Sequence, residues 1–399
     1  YIYWNSNSSR RDGCSMSKIK VNEISKHDAS EITVNDTVKV DNIAEKTSGA
    51  GVTVDGLTIK DTGFDEPVKF KVLTTTQINA LSGMEEGEVV YDSVLGTLKI
   101  YNGVTWAGLS DSTYTVSVDY LVIAGGGAGG GAGTGGNGGG GGAGGYLNSY
   151  GSDSSGGGAS ALNAQTLNVG TNYTVTVGAG GTGAAWNGES TSGSNSVFNT
   201  ATATGGGRGG DYNTNPAIGG SGGGGTSGTG GGSQTGAAGT GSQGYAGGNA
   251  TYGVAAGAGG GGGAASVGGN GGSTDGGDGG TGLAGTITGS AVSRGGGGGG
   301  GTDSSNTSNA GQATHGGGRG GAAGAGVAGT ANTGGGGGGA SNATGGNGGS
   351  GVVVLRYPNT FDITVGAGLT CSDANTVVDT TYKYATITEG SGSISFAVA

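Results

Sequence analysis

TVSVDYLVIAGGGAGGG (115–131) runs from an apolar, β-branched stretch directly into glycine, and GGSGVVVLRY (348–357) runs from glycine back into one. The two stretches bracket a glycine field and read as a frame whose ends meet. Of the 107 glycines in the 399-residue chain, 93 lie between Gly125 and Gly351. That density excludes an α-helical body, because each interior Gly costs a helix about 1 kcal/mol against Ala. Collagen is excluded too: no strict third-residue Gly occurs, and the chain has only 3 Pro.

Within the field, glycine runs recur at irregular intervals (125–145, 205–210, 219–232, 257–263, 295–301, 334–339 and others), separated by inserts. Inserts such as YTVTVGAGG (173–181), SVFNTATATGGG (196–207) and TITGSAVSRGGG (286–297) alternate β-branched or aromatic residues with polar ones. A flexible linker needs no such alternation. The expectation is an ordered lattice of polyglycine II helices. These have three residues per turn and rise about 3.1 Å per residue. Lacking Cβ atoms, they can lie side by side and exchange backbone hydrogen bonds. Each bond contributes about 1 kcal/mol net, the same order as the roughly 0.5–1 kcal/mol extra cost of ordering a glycine.

Outside the field the composition is ordinary. Five segments are expected: 1–15, read as non-native or upstream sequence ahead of Met16; 16–66, a β-rich fibre shaft segment; 67–114, a small β module; 115–357, the glycine-rich domain; and 358–399, a small C-terminal β unit. In the module, TTTQINALSG (74–83) predicts a short helix capped by a Thr and stopped by Gly83, and Asn102-Gly103 predicts a hairpin turn. The fold class is therefore all-β with polyglycine II helices: a β-rich head, a layered glycine block framed by strands, and a small β tail.

Net charge is −11, which argues against nucleic acid or an anionic membrane surface as the main partner. No apolar run approaches the roughly 20 residues of a membrane span, and the first 30 residues lack the apolar stretch of an export signal. Cys14 and Cys371 form no metal spacing, and His27 and His315 are the only histidines, so no cofactor or metal is expected. GGSGG (219–223) matches the nucleophile-elbow pattern, but in so much glycine such a match arises by chance. The Arg-Gly-Gly steps at Arg208, Arg294 and Arg319 are too few for RNA binding and suit slab edges. The sparse acids of the body form no carboxylate pair, and no enzyme is expected.

Two resemblances add to this. KVLTTTQINALSGMEEGEVVYDSVLGTLKIYNGVTWAGL (71–109) resembles a module frequent in bacteriophage tail-fibre proteins, with YNGxxW as its distinctive part, and KVDNIAEKTSGAGVTVDGLTIKD (39–61) is similar to a fibre-shaft repeat. Residues 119–357 resemble the glycine-rich tip of phage fibres, whose best understood relatives are polyglycine-sandwich adhesins of T-even-type phages. The resemblance implies a homotrimeric virion protein bound to other tail proteins. Its loops would touch a bacterial surface receptor, either protein or glycan. The rivals are a surface or filament protein that self-assembles through glycine-rich edges, and a fibre assembly chaperone. The inserts carry Tyr146, Tyr150, Trp186, Tyr212, Tyr245 and Tyr252, which are the candidate receptor-contact residues because Tyr and Trp offer large contact area at low entropic cost. The competing reading is that these rings cap the slab.

Overall fold

The computed structural model describes residues 70–108, 115–185, 188–228, 235–253, 256–303 and 309–399, together with the backbone of 52–54 and 57–59. The rest of the expected shaft segment, and residues 1–15, lie outside the described residues. The chain divides into two compact units, Tyr1–Asp111 and Ser112–Ala399.

In the first unit, β1 (Val52–Val54) and β2 (Leu57–Ile59) pair antiparallel on either side of Asp55 and Gly56. A separate four-stranded sheet contains β3 (Lys71–Leu73), β4 (Val89–Asp92), β5 (Thr97–Tyr101) and β6 (Trp106–Gly108) in that order, with β3 parallel to β4 and the rest antiparallel. The predicted helix is α1 (Thr75–Asn79). Thr74 Oγ1 accepts from the Gln77 N–H and Gln77 Oε1 accepts from the Thr74 N–H, a reciprocal capping box. Ile78 is its buried residue, and Gly83 stands at φ +75° beyond it. Asn102 Oδ1 accepts from the N–H groups of Val104 and Thr105, which closes the predicted turn and sets Tyr101 against Trp106 at 5.4 Å between ring centres.

The second unit is built on one curled sheet. Its strands are β7 (Thr115–Ile123), β9 (Tyr146–Asn148), β10 (Gln165–Asn168), β11 (Tyr173–Thr176), β12 (Ser196–Phe198), β13 (Ala201–Ala203), β18 (Val352–Pro358), β19 (Phe361–Val365), β20 (Leu369–Cys371), β21 (Thr376–Val377) and β22 (Tyr382–Val398). The intervening strands belong elsewhere. β8 (Ala132–Asn137), β14 (Ser227–Gly228) and β17 (Ser341–Ala343) form a three-stranded sheet, and β15 (Leu283–Gly285) pairs with β16 (Val292–Arg294). The expected alternating stretch TITGSAVSR is thus a turn leading into β16, because Gly289 takes φ +88°.

The frame does close. β7 and β18 pair antiparallel, with Ile123 opposite Val352 and Leu121 opposite Val354, at the points where the chain enters and leaves the glycine field. The stretches Tyr120–Ile123 and Val352–Leu355 are apolar without interruption because both of their faces are covered. Val118, Tyr120, Val122, Val353, Leu355 and Tyr357 enter one core with Phe198, Ile394 and Phe396. Leu121, Ile123, Val352 and Val354 enter a second with Tyr146 and Ile287. Residues 358–399 belong to the same sheet. The first half of β22 lies on β18 (Val353 opposite Ile387), and its second half pairs with β11 and β19.

Between the framing strands the glycine runs carry almost no strand pairing, yet they are saturated with bonds. Gly138–Gly145 is the clearest case. The N–H groups of Gly138, Gly141 and Gly144 donate to the carbonyls of Ala340, Gly337 and Gly334; those of Gly139, Gly142 and Gly145 donate to Gly210, Gly207 and Thr204; those of Gly140 and Ala143 donate to Gly259 and Gly262. Its carbonyls accept with the same period: 139, 142 and 145 from Gly130, Gly127 and Ala124; 140 and 143 from Gly224 and Ser221; 138 and 141 from Gly301 and Gly298. One run therefore touches six others, and all fifteen bonds measure 2.8–3.1 Å. All eight residues are buried. The run Ala256–Ala264 repeats the arrangement: 258, 261 and 264 donate to 301, 298 and 295, while 259 and 262 donate to 225 and 222.

Close approach of backbones makes glycine obligatory inside. A Cβ on Gly141 would fall inside the carbonyl oxygen of Gly127, and one on Gly127 inside that of Gly207. Outer runs obey a different rule. Among the described residues from 124 to 351, the exposed glycines are Gly151, Gly158, Gly170, Gly188, Gly241 and Gly289, all in turns or short connections. Exposed positions of the outer runs carry side chains instead, as at Ala179, Thr182, Asn270, Asp278, Thr281 and Asn347.

Candidate functional site

The hydrogen-bond register defines two ends of the glycine block. Ala124, Gly145, Thr204, Gly295 and Gly351 lie at the end beside the sheet; Gly131, Gly138, Gly210, Gly301 and Ala340 lie at the far end. The candidate rings divide between them.

Tyr146 belongs to the sheet end and is 0% exposed, within the second core. Burial pushes its hydroxyl well above the usual phenol range. A ring without accessible surface cannot touch a receptor, so Tyr146 is a core residue and leaves the candidate set. Tyr150 is half-buried and lies against the Arg356 guanidinium, 4.7 Å from ring centre to Cζ, and the Tyr382 ring stands 4.6 Å from the same atom. Arg356 also donates to Asp379 (2.9 Å) and to the Ile287 carbonyl (3.2 Å). This stack fastens the loop after β9 to the sheet. Tyr245 is half-buried, its hydroxyl close to the Gly158 turn. Trp186 lies outside the described residues.

Tyr212 and Tyr252 belong to the far end. Tyr252 is 68% exposed. Tyr212 follows Asp211, a wholly buried carboxylate that sequence reading ranks among the acids without a pattern. That carboxylate accepts four bonds: from the Gly131 N–H (2.6 Å), the Ser190 N–H (3.0 Å), the Ser190 hydroxyl (2.9 Å) and the Thr214 hydroxyl (3.0 Å). Asp211 thereby ties the turn Asp211–Thr214, the loop ending at Ser190 and the first glycine run into one piece. The Tyr212 ring rests on β8, where a Cβ on Gly136 would strike it.

Beside this ring opens a groove of about 340 Å³ bounded by Gly133, Thr134, Tyr212 and Asn342. Asn342 sits at a bulge in the β17–β8 pairing with φ +50°, and its amide nitrogen donates to Asp303 (3.2 Å). A non-glycine residue in the left-handed region is uncommon, and Asn is among the residues that tolerate it best. Sequence reading misses Thr134 and Asn342 because AGTGGN and SNA look like interruptions of glycine runs; the Asn followed by Ala-Thr before further glycine is the one usable signal. A wider groove of about 550 Å³ runs along the outer runs beside Asn332, Asn347 and Glu389. Among the described residues no group of three His, Cys, Asp or Glu could hold a metal ion, and no helix is long and apolar enough to cross a membrane. Arg208 pairs with Glu189 at 2.7 Å on the surface of the block.

A family model for a glycine-rich domain matches residues 104–358. The chain belongs to this glycine-rich domain family. The matched span holds both framing strands, all the glycine runs and the far-end groove, and it stops where β18 ends. The third strand of the frame, β22, lies beyond it. No curated protein and no solved structure matches the chain.

Proposed function

We propose that the chain is a non-enzymatic phage tail-fibre protein whose glycine-rich domain is a block of polyglycine II helices presenting loops to a bacterial surface receptor. The observation that carries the scaffold reading is the period of three in the bonds of Gly138–Gly145, each third residue addressing the same neighbour and six neighbours in all. A three-residue turn without internal hydrogen bonds requires that pattern. Such a block is stiff, so loops at its far end keep their shape. Tyr212 on its clamped turn and the exposed Tyr252 are the surface rings there. On this reading the protein resides in the virion, is homotrimeric, contacts other tail proteins, and binds neither nucleic acid nor membrane interior. Several tips engaging at once would add weak contacts into firm attachment.

The filament alternative needs open lattice edges. The outer runs carry side chains at their exposed positions, which keeps a further glycine helix from docking there, and this favours the adhesin. Immunogold electron microscopy with antibody to residues 119–357 tests the reading on particles from the source. Gold at the distal tips of tail fibres is the expected result. Gold along filaments or cell walls, with tails bare, overturns it.

A further inference from the structure

We infer that the groove bounded by Gly133, Thr134, Tyr212 and Asn342 binds one neutral sugar residue of a surface glycan; this rests on the receptor-binding reading above and narrows it to a ligand class. The argument starts with the walls. One is the Tyr212 ring, whose Cδ2 and Cε2 atoms approach the backbone at Gly136 so closely that a Cβ there would strike them. The opposite wall is Asn342, whose amide nitrogen is held by Asp303 while its amide oxygen accepts no bond among the described residues. Thr134 adds an exposed hydroxyl, and Gly133 adds bare backbone.

Among the described residues no cationic side chain lines the groove, and the Asp303 carboxylate bonded to Asn342 repels a phosphate or a carboxylate. The ligand that fits has a flat face of C–H bonds for the ring and hydroxyls for an amide oxygen, a hydroxyl and backbone groups. A pyranose has both. About 340 Å³ is at the small end of ligand sites, enough for a single unit rather than a chain. A protein receptor is the poorer match, because protein hot spots cluster several aromatic or Arg side chains in a desolvated centre, and among the described residues this groove has one ring.

The site is also built in advance. Asp211 holds the Tyr212 turn through four bonds, and the bulge in the β17–β8 pairing fixes Asn342 in the left-handed region, which Asn tolerates.

Saturation-transfer NMR on the full chain tests the inference with a panel of neutral methyl glycosides (gluco, galacto, manno and N-acetylglucosamine forms) and with N-acetylneuraminic acid as the charged control. Tyr212→Ala, Tyr212→Phe and Asn342→Ala are compared after each is matched to the parent in thermal unfolding. Transfer to at least one neutral glycoside is expected, with none to the acid. Tyr212→Ala and Asn342→Ala should weaken it at least tenfold, while Tyr212→Phe retains it because stacking needs the ring and not its hydroxyl. No transfer to any neutral sugar, or transfer indifferent to Tyr212→Ala, overturns the sugar assignment. Binding of the labelled full chain to bacterial envelopes separates the two levels of the argument. Binding abolished by periodate supports the sugar site. Binding abolished by protease and resistant to periodate overturns it while leaving receptor recognition intact. No binding to envelopes on which the parent particles adsorb overturns the receptor reading itself.

Discussion

Replacing Gly141 by Ala tests the lattice most directly, because two physical effects predict opposite signs. In an ordinary site that tolerates it, Gly→Ala stabilises by about 0.4–1 kcal/mol, since Ala loses less chain entropy on folding. At Gly141 the new Cβ would fall inside the Gly127 carbonyl oxygen and press on that of Ala128. Both atoms belong to a run that donates three bonds to the run containing Gly141, from Ala124 to Gly145, Gly127 to Gly142 and Gly130 to Gly139. Moving the runs apart strains all three, and a buried donor left unpaired costs about 1–3 kcal/mol. The expected loss is thus at least about 3 kcal/mol, a large part of the roughly 5–15 kcal/mol that holds a typical domain. At about 2–4 °C per kcal/mol for a domain of this order, the Tm falls by about 6–12 °C. Gly241→Ala is the control: that residue is exposed, and a Cβ there meets nothing within 4 Å. Thermal unfolding followed by circular dichroism reads both. If Gly141→Ala melts at or above the parent temperature, as Gly241→Ala should, the runs are not in the mutual contact described and the lattice argument fails.

Four further outcomes follow from the same structure. Ending the chain at Pro358, the limit of the family match, removes β22 and uncovers β18, so the truncated protein is expected to be insoluble or aggregated by size-exclusion chromatography. Replacing Thr182, Asn270, Asp278 and Thr281 together by Gly opens the outer runs that carry them, and analytical ultracentrifugation should then show concentration-dependent association absent from the parent. Arg356→Lys should cost about 1–2 kcal/mol in denaturant unfolding, because a point charge cannot stack on Tyr150 and Tyr382 as a planar guanidinium does. In the first unit, burial works against the Asp92 carboxylate, but the Thr75 hydroxyl and the N–H groups of Leu95 and Val94 outweigh it and hold its pKa below the ordinary value. A depressed folded-state pKa means stability that is present above about pH 4 and lost as pH falls through the folded value, so Asp92→Asn should flatten the acid-induced loss of Ile78 methyl dispersion by NMR.

Legibility in the sequence followed the kind of constraint at work. YLVIA and VVVL announced two apolar strands, and their position at the edges of the glycine field implied that they meet, as Ile123 and Val352 do. Thr74, Gln77 and Asn102-Gly103 act locally and were readable from spacing alone. The place of β22 was not readable, because its alternation suits a separate unit as well as a third strand on β18, and nothing local distinguishes them. The far-end groove was half legible. Tyr212 stands out as a ring in an insert, whereas Asp211 reaches Ser190 and Gly131, 21 and 80 residues away, and Asn342 reaches Asp303, 39 residues away, from a bulge, which spacing does not reveal. Tyr146 misled for a related reason: an aromatic beside a glycine run looks like a loop residue, but β9 turns it into the core against Ile287.

Within the glycine field, composition itself records position. A run surrounded on all sides must be free of Cβ atoms that meet neighbouring carbonyls, and 138–145, 257–263, 295–301 and 334–339 are accordingly glycine with an occasional Ala. A run with one open side turns every third residue outward, and there the sequence departs from glycine at a spacing of three: Ala179, Thr182 and Ala185 in one run, and Asp275, Asp278 and Thr281 in another. With bonding and exposure both repeating every three residues, each outward position is followed by two that face neighbours, of which those packed deepest, Gly181, Gly277 and Gly280, are glycine. The interruptions therefore mark the open side of an outer run. Long inserts are accordingly confined to the ends of the block, where they carry rings such as Tyr212 without disturbing the packing beneath.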